Sequence, residues 1–235
     1  MFNVLAAPGE LFESLAKAEV SVANWLAPAA LVALIGVICQ WVVFSQPALT
    51  QQIREAQDQA IQAKVDAGEM KAADADKAKE MLGGIGMTIA KVAGGVSMVV
   101  YAFVAPLWWA FLAWLVARTV LRAPLPFGRT LEVAGLANVI AVLGMVVGTF
   151  LAVGMGQLYA GPHGGLLVKT FDLTNRAHLA LATINPFSFW HLAVVSLGVA
   201  RCLARPMASV AAAMFGLWIG YKALAVLLKL AWLAF

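Results

Sequence analysis

Histidines are the first residues to check for metal binding or acid–base catalysis, because both activities require particular spacings between them. His163, His178 and His191 are 15 and 13 residues apart, whereas zinc-ligating histidines of the HExxH type share one turn of a helix. The chain contains no HExxH pattern, no GxSxG nucleophile motif and no Walker A motif. We therefore expect a protein that is not an enzyme and that carries no catalytic residue, metal or cofactor.

Two lysines in the last apolar stretch are the next chemical signal. Lys222 and Lys229 are seven residues apart, so on a helix they share a face with Trp218. Their ammonium groups could reach lipid headgroups along their apolar stems, or they could contact Asp172 or a partner subunit. Both lysines are therefore candidate partner or lipid contacts. Glu132 is predicted at a membrane boundary, and the lack of an acid at mid-membrane argues against autonomous ion-coupled transport.

Composition places these residues in a membrane protein. Of the 235 residues, 63% are hydrophobic and 12% are charged, against about 45–50% and about 25% in soluble domains. Residues 1–21 carry three glutamates and one lysine, so we expect no cleaved signal peptide. A disordered chain and a water-soluble core are both excluded by this composition.

Small residues at helical spacing predict the contacts between spans. The stretch 131–157 is uncharged from Val133 to Gly156 and has Gly144 and Gly148 at its centre, on a face of small residues. Small residues let helix backbones approach closely inside a membrane. We expect this stretch to be the central packing helix. Gly216 and Gly220 form a similar small-residue face in the last span, so we expect them to pack against a helix as well.

The predicted fold is all-α: one membrane domain over residues 1–235, a bundle of five transmembrane helices. Pro8 can start a short amphipathic helix over 8–22, which either lies in the headgroup plane or caps the bundle. The predicted spans cover about 20 or more mostly apolar residues each, as a bilayer of about 30 Å requires; they are 25–44, 87–117, 131–157, 186–203 and 207–230.

Residues 47–82 interrupt the apolar pattern with five basic and seven acidic side chains. Their composition favours helix, and Ala67-Gly68 divides them into two arms. We predict a charged helical hairpin outside the membrane, joined to span two by a flexible glycine collar at 83–86. Such a surface is either a solvated insertion or a docking element.

Arginines in the short links predict the topology. Arg118, Arg122, Arg129, Arg201 and Arg205 follow spans two and four, so both links lie on one side, which the positive-inside rule makes cytoplasmic. The N-terminus is then cytoplasmic, and the charged hairpin and the C-terminus are extracytoplasmic.

Three stretches resemble a known family: APGELFESLAKAEVSVANWLAP, FGRTLEVAGLANVIAVLG and INPFSFWHLAVVSLGVARCL. They are similar to the Yip membrane domain, named for Ypt/Rab-interacting proteins, in its bacterial form. The similarity runs from about Pro8 to Leu230, and it departs at Asn138-Val139, where the family pattern would have a proline. It implies five spans with a cytoplasmic N-terminus in a bacterial inner membrane, no catalytic residues, and for some relatives an association with ABC-type exporters.

These observations lead to two hypotheses of function. The first is a non-enzymatic integral membrane subunit or scaffold that binds partner membrane proteins, with an ABC-type exporter as one such partner. The alternative is a channel or transporter for lipids or small solutes. Membrane lipids are expected partners in both, and nucleic acid in neither.

Overall fold

The computed structural model describes residues 1–81 and 85–230. Part of the predicted collar 83–86 and the C-terminal residues 231–235 lie outside the described residues. The helices are α1 (Asn3–Ala6), α2 (Pro8–Lys17), α3 (Ala23–Phe44), α4 (Pro47–Asp66), α5 (Ala72–Met81), α6 (Met87–Leu115), α7 (Phe127–Ala137), α8 (Val139–Met155), α9 (Arg176–Ala182), α10 (Pro186–Leu203) and α11 (Met207–Leu227).

The described part of the chain contains five helical segments that are long and apolar enough to cross a membrane. They are Ala23–Phe44, Met87–Val120, Phe127–Met155, Pro186–Leu203 and Met207–Leu227. The prediction of an all-helical, multi-pass membrane protein is confirmed. Since successive spans alternate in direction, the links that follow spans two and four lie at the same end of the bundle, which we call the arginine side.

The third span begins earlier than predicted and is not continuous. Pro126 precedes its first residue, Phe127, and the span is divided at Asn138 into α7 and α8. Asn138 is buried, and its Nδ2 has no hydrogen-bond partner among the described residues. Together α7 and α8 contact α3, α6 and α10, so this span lies at the centre of the bundle.

The largest core cluster lies where α2, α7, α10 and α11 meet. Phe12 and Leu15 of α2 are buried in it, and α2 packs along α10. Gly198 of α10 makes room for this contact, because a Cβ at that position would lie 3.1 Å from the Phe12 ring. The N-terminal helix ends at Lys17 rather than at residue 22 and packs against the bundle. Its position in the headgroup plane stays a prediction.

Helices α4 and α5 account for most of the charged segment. Most of their side chains are exposed, and Lys79 donates a hydrogen bond to Gln62 between the two helices. The base of α4 is attached to the bundle. Leu49 is buried, and the Gln52 amide donates to the Gly156 carbonyl at 2.7 Å and accepts from the Leu158 N–H at 2.9 Å. These bonds tie the start of the segment to the far end of the third span.

Gly135 marks the tightest approach between spans one and three, and it gives a test of the packing. A Cβ at Gly135 would lie 2.4 Å from Cα of Trp25, which is backbone and cannot rotate away. Gly135→Ala should therefore lower the free energy of unfolding by about 1–3 kcal/mol through overpacking, measured by thermal unfolding in detergent.

The matched control is Gly154→Ala in α8. Nothing lies within 4 Å of a Cβ at Gly154, and alanine is the better helix former by about 1 kcal/mol. This variant should be as stable as the wild type or slightly more stable. Equal stability of the two variants would refute the close contact of α7 with α3.

Candidate functional site

The two glycines of span three that were predicted to lie at a helix contact both face other parts of the same polypeptide. A Cβ at Gly144 would lie 3.3 Å from Cβ of Phe187 at the start of α10, and one at Gly148 would lie 3.5 Å from Cδ of Pro162. Gly144 is therefore at a tight helix–helix contact, while Gly148 meets the link that follows the span. Both contacts are within the chain itself.

The corresponding glycines of span five face outward. Nothing among the described residues lies within 4 Å of a Cβ built at Gly216 or Gly220. We define the small-residue face of α11 as the exposed positions Ser209, Ala212, Gly216, Gly220 and Ala223. The sequence predicted the small-residue stripe as a packing surface, and its outward direction leaves that surface available to another molecule.

The opposite face of α11 is the one that packs into the bundle. Its buried residues are Val210, Met214, Trp218, Lys222 and Ala225. The Lys222 ammonium lies 6.0 Å from the centroid of Trp218 and 5.5 Å from that of Tyr221, positions that suit cation–π attraction. The side chain of Lys222 is therefore enclosed by protein rather than exposed along a lipid-facing surface.

Lys229 lies beyond the end of α11 and is exposed. The backbone N–H and the hydroxyl of Thr174 donate to Oδ1 of Asp172 at 2.7 and 2.8 Å. These bonds lower the pKa of Asp172, and the charges of His178 and Lys229 add to the effect. Hydrogen bonds and nearby positive charge favour the carboxylate form of Asp172. No ion pair joins Lys229 to Asp172 among the described residues, and the predicted contact between them stays a prediction.

The three histidines lie in two separate places. Two of them contact Phe171: its centroid lies 6.0 Å from that of His163 and 5.7 Å from that of His178. His163 also accepts a hydrogen bond from the Gly165 N–H, and burial lowers its pKa. His191 is buried beside Trp109 in the membrane domain. No group of three or more His, Cys, Asp or Glu side chains among the described residues has the geometry to hold a metal ion.

A buried charge cluster at the arginine side was missed by sequence reasoning. Glu132 is fully buried in α7, and its Oε2 lies 2.7 Å from the guanidinium of Arg129. Its Oε1 accepts from the Ser21 N–H and the Asn24 side chain, both at 2.8 Å. Arg129 also donates to the Ala18 carbonyl. The Arg-x-x-Glu spacing was a possible signal, since residues three apart meet on a helix.

This cluster joins the link before span one to the start of span three. Ser21 and Asn24 are 111 and 108 residues from Glu132 in the chain. Each oxygen of the carboxylate has a charged or polar donor, which is the condition for keeping a carboxylate buried. Since every group is engaged within the chain, the arrangement suits positioning of helices rather than turnover of a substrate.

Comparison with known proteins returns no match: no family model, no curated protein and no solved structure is significantly similar to this chain.

Two ion pairs among the described residues, one buried and one exposed, allow a test of the cluster. Glu132→Ala would leave a buried guanidinium and two polar donors without their acceptor. Removing one member of a buried pair costs about 3–5 kcal/mol, so the thermal unfolding midpoint in detergent should fall sharply.

The control is Glu13→Ala. Its pair with Arg201 is 2.8 Å long, but both side chains are about half exposed, and such pairs contribute about 0–1 kcal/mol. Its midpoint should stay near that of the wild type. A small effect of Glu132→Ala, equal to that of the control, would contradict the positioning role of the cluster.

Proposed function

We propose that the protein is a non-enzymatic membrane scaffold that binds another membrane protein through the small-residue face of α11. The single observation that carries this proposal is the open space over Gly216 and Gly220. In a membrane, helices gain little from the hydrophobic effect when they associate, so close backbone approach over small residues supplies van der Waals contact instead. A partner helix fits this face.

The charged segment is the second contact surface in this proposal. Beyond Gln52, α4 and α5 present charged side chains of both signs, and Leu49 and Gln52 fix the base of the segment against the bundle. A surface anchored at its base and exposed beyond it suits docking of a partner outside the membrane. The partner implied by the resemblance to the Yip domain is the membrane part of an ABC-type exporter, and that resemblance stays a prediction.

In this proposal the arginine side faces the cytoplasm of a bacterial inner membrane. Support comes from the positive-inside rule and from the position of the N-terminal helix. Glu13 of α2 pairs with Arg201 at the end of span four, so α2 lies at the same end of the bundle as the arginine links. The charged segment is then extracytoplasmic.

Site-specific photo-crosslinking in native membranes tests the small-residue face. A crosslinking residue at Ala212 should form an adduct with a different membrane protein, identified by mass spectrometry. Gly216→Leu or Gly220→Leu places a bulky side chain in the contact, and overpacking by about 1–3 kcal/mol weakens binding by a factor of about 5 to 140. Both variants should keep the detergent stability of the wild type, because each glycine has open space above it.

Gly154→Leu is the matched control, since Gly154 also has open space above it but lies on a different span. It should leave the Ala212 adduct intact. An adduct only with a second copy of the chain would replace the scaffold proposal by self-association. Adduct yields unchanged by Gly216→Leu and Gly220→Leu would refute the face as a contact.

Shortening the charged segment tests the second surface. Replacing residues 54–79 by a short Gly/Ser linker keeps Leu49 and Gln52 in place, so the stability in detergent should stay near that of the wild type. Co-purification of a partner that contacts this side of the membrane should be lost. A variant that does not fold would make the segment structural, and one that retains every partner would make it a solvated insertion.

A further inference from the structure

The five arginines of the arginine side divide into two that are paired with carboxylates and three, Arg118, Arg122 and Arg205, that are not paired among the residues that the structure describes. Arg129 and Arg201 are paired with carboxylates, as described above. Arg118 and Arg122 have no carboxylate within ion-pair distance among the residues that the structure describes. Both lie where span two ends and the link to span three begins, and both are exposed. Two positive charges at this end of the bundle are thus without a carboxylate partner among the described residues.

These two arginines line one cavity. It has a volume of about 690 Å³, and it is lined by Trp114, Arg118, Arg122, Pro124, Leu125 and Pro126 among others. The Arg118 guanidinium lies over the Trp114 ring, 5.3 Å from its centroid. Arg122 has a left-handed backbone with φ of 49°, which is uncommon for a residue other than glycine. The local backbone therefore places Arg122 in an unusual conformation at the wall of this cavity.

A ladder of aromatic rings leads from the cavity along α6 into the membrane. The centroids of Trp114 and Phe111 are 6.3 Å apart, and those of Phe111 and Trp108 are 6.2 Å apart. Phe111 is 43% exposed and Trp108 is 45% exposed. Six residues of helix span about 9 Å, so the ladder offers an apolar surface of that length, which begins at the ring beneath the Arg118 guanidinium.

From this arrangement we infer that the cavity at Arg118 and Arg122 binds the phosphate headgroup of an anionic phospholipid, with an acyl chain lying along the aromatic ladder. Guanidinium groups present planar pairs of N–H donors that match phosphate oxygens. Basic pockets at the ends of membrane helices are suited to anionic headgroups. The site goes beyond the proposed scaffold function and does not depend on it.

The lining also indicates which lipids fit. No acidic side chain lines the cavity, so the amine of a zwitterionic headgroup would find no counter-charge there. A soluble phosphate compound could pair with the arginines, but it would leave the exposed aromatic ladder uncovered. An anionic lipid satisfies both the charges and the apolar surface, because it carries a phosphate and an acyl chain in one molecule.

Native mass spectrometry of the full chain in detergent, titrated with phosphatidylglycerol, tests this inference. The wild type should bind phosphatidylglycerol at least about fivefold more tightly than phosphatidylcholine, the factor expected for one arginine at a membrane surface. Arg118→Gln and Arg122→Asn should each weaken phosphatidylglycerol binding about fivefold. Asparagine tolerates the left-handed backbone at position 122, and phosphatidylcholine binding should not change in either variant.

Arg205→Gln is the matched control. Arg205 is exposed on the same side and does not line the cavity, so this variant should bind phosphatidylglycerol as the wild type does. Equal weakening by Arg205→Gln would mean diffuse attraction of lipid and would overturn the site. Glycerol 3-phosphate that binds as tightly as phosphatidylglycerol would show a soluble ligand instead of a lipid. If the wild type binds phosphatidylglycerol and phosphatidylcholine equally well, the inference is wrong whatever the variants show.

Discussion

The buried carboxylate of Glu132 is the interaction on which the arrangement of the bundle depends. A charge removed from water must be paired and hydrogen-bonded, because its loss of hydration is otherwise too costly. Glu132 meets this condition with Arg129 on its own helix and with donors from residues 21 and 24. The link before span one is thereby fixed against span three. Helix α2 precedes that link and packs on α10 through the buried side chains of Phe12 and Leu15.

Small-residue faces point inward in one span of this bundle and outward in another. In the third span, glycines let neighbouring chain approach closely: Gly135 meets the backbone of Trp25, and Gly144 meets Phe187. In the fifth span, Gly216 and Gly220 face away from the bundle. The inward face of that span is instead formed by larger side chains, among them Trp218 and Lys222. Close packing inside and an uncovered small-residue face outside are compatible with a protein that assembles with other helices.

Some arginines of the arginine side are paired with carboxylates, and others are not. Arg129 and Arg201 are engaged by carboxylates, one pair buried and the other exposed. Arg118 and Arg122 line a cavity above an aromatic ladder. The positive-inside rule counts these arginines alike, yet their environments differ: Arg129 forms a buried pair, Arg201 an exposed one, and Arg118 and Arg122 line the cavity.

The sequence by itself determined the class of the protein and the number and approximate bounds of its spans. These depend on local quantities: the length of each apolar run against the bilayer thickness, and the prolines and charges that end it. The charged interruption at 47–82 was equally evident. The small-residue face of α11 could also be identified, because helical spacing alone decides which residues share a face.

Tertiary structure alone decided which way each face points. Both faces of α11 are apolar enough for lipid or protein, so hydropathy does not distinguish them, and only packing against the bundle turned Trp218 and Lys222 inward. The burial of Glu132 was likewise decided by residues more than 100 positions away in the chain. From the neighbouring sequence alone, a carboxylate near the start of an apolar helix indicates a membrane boundary. Its donors come together only when the spans are assembled, and a single sequence carries no record of that long-range contact.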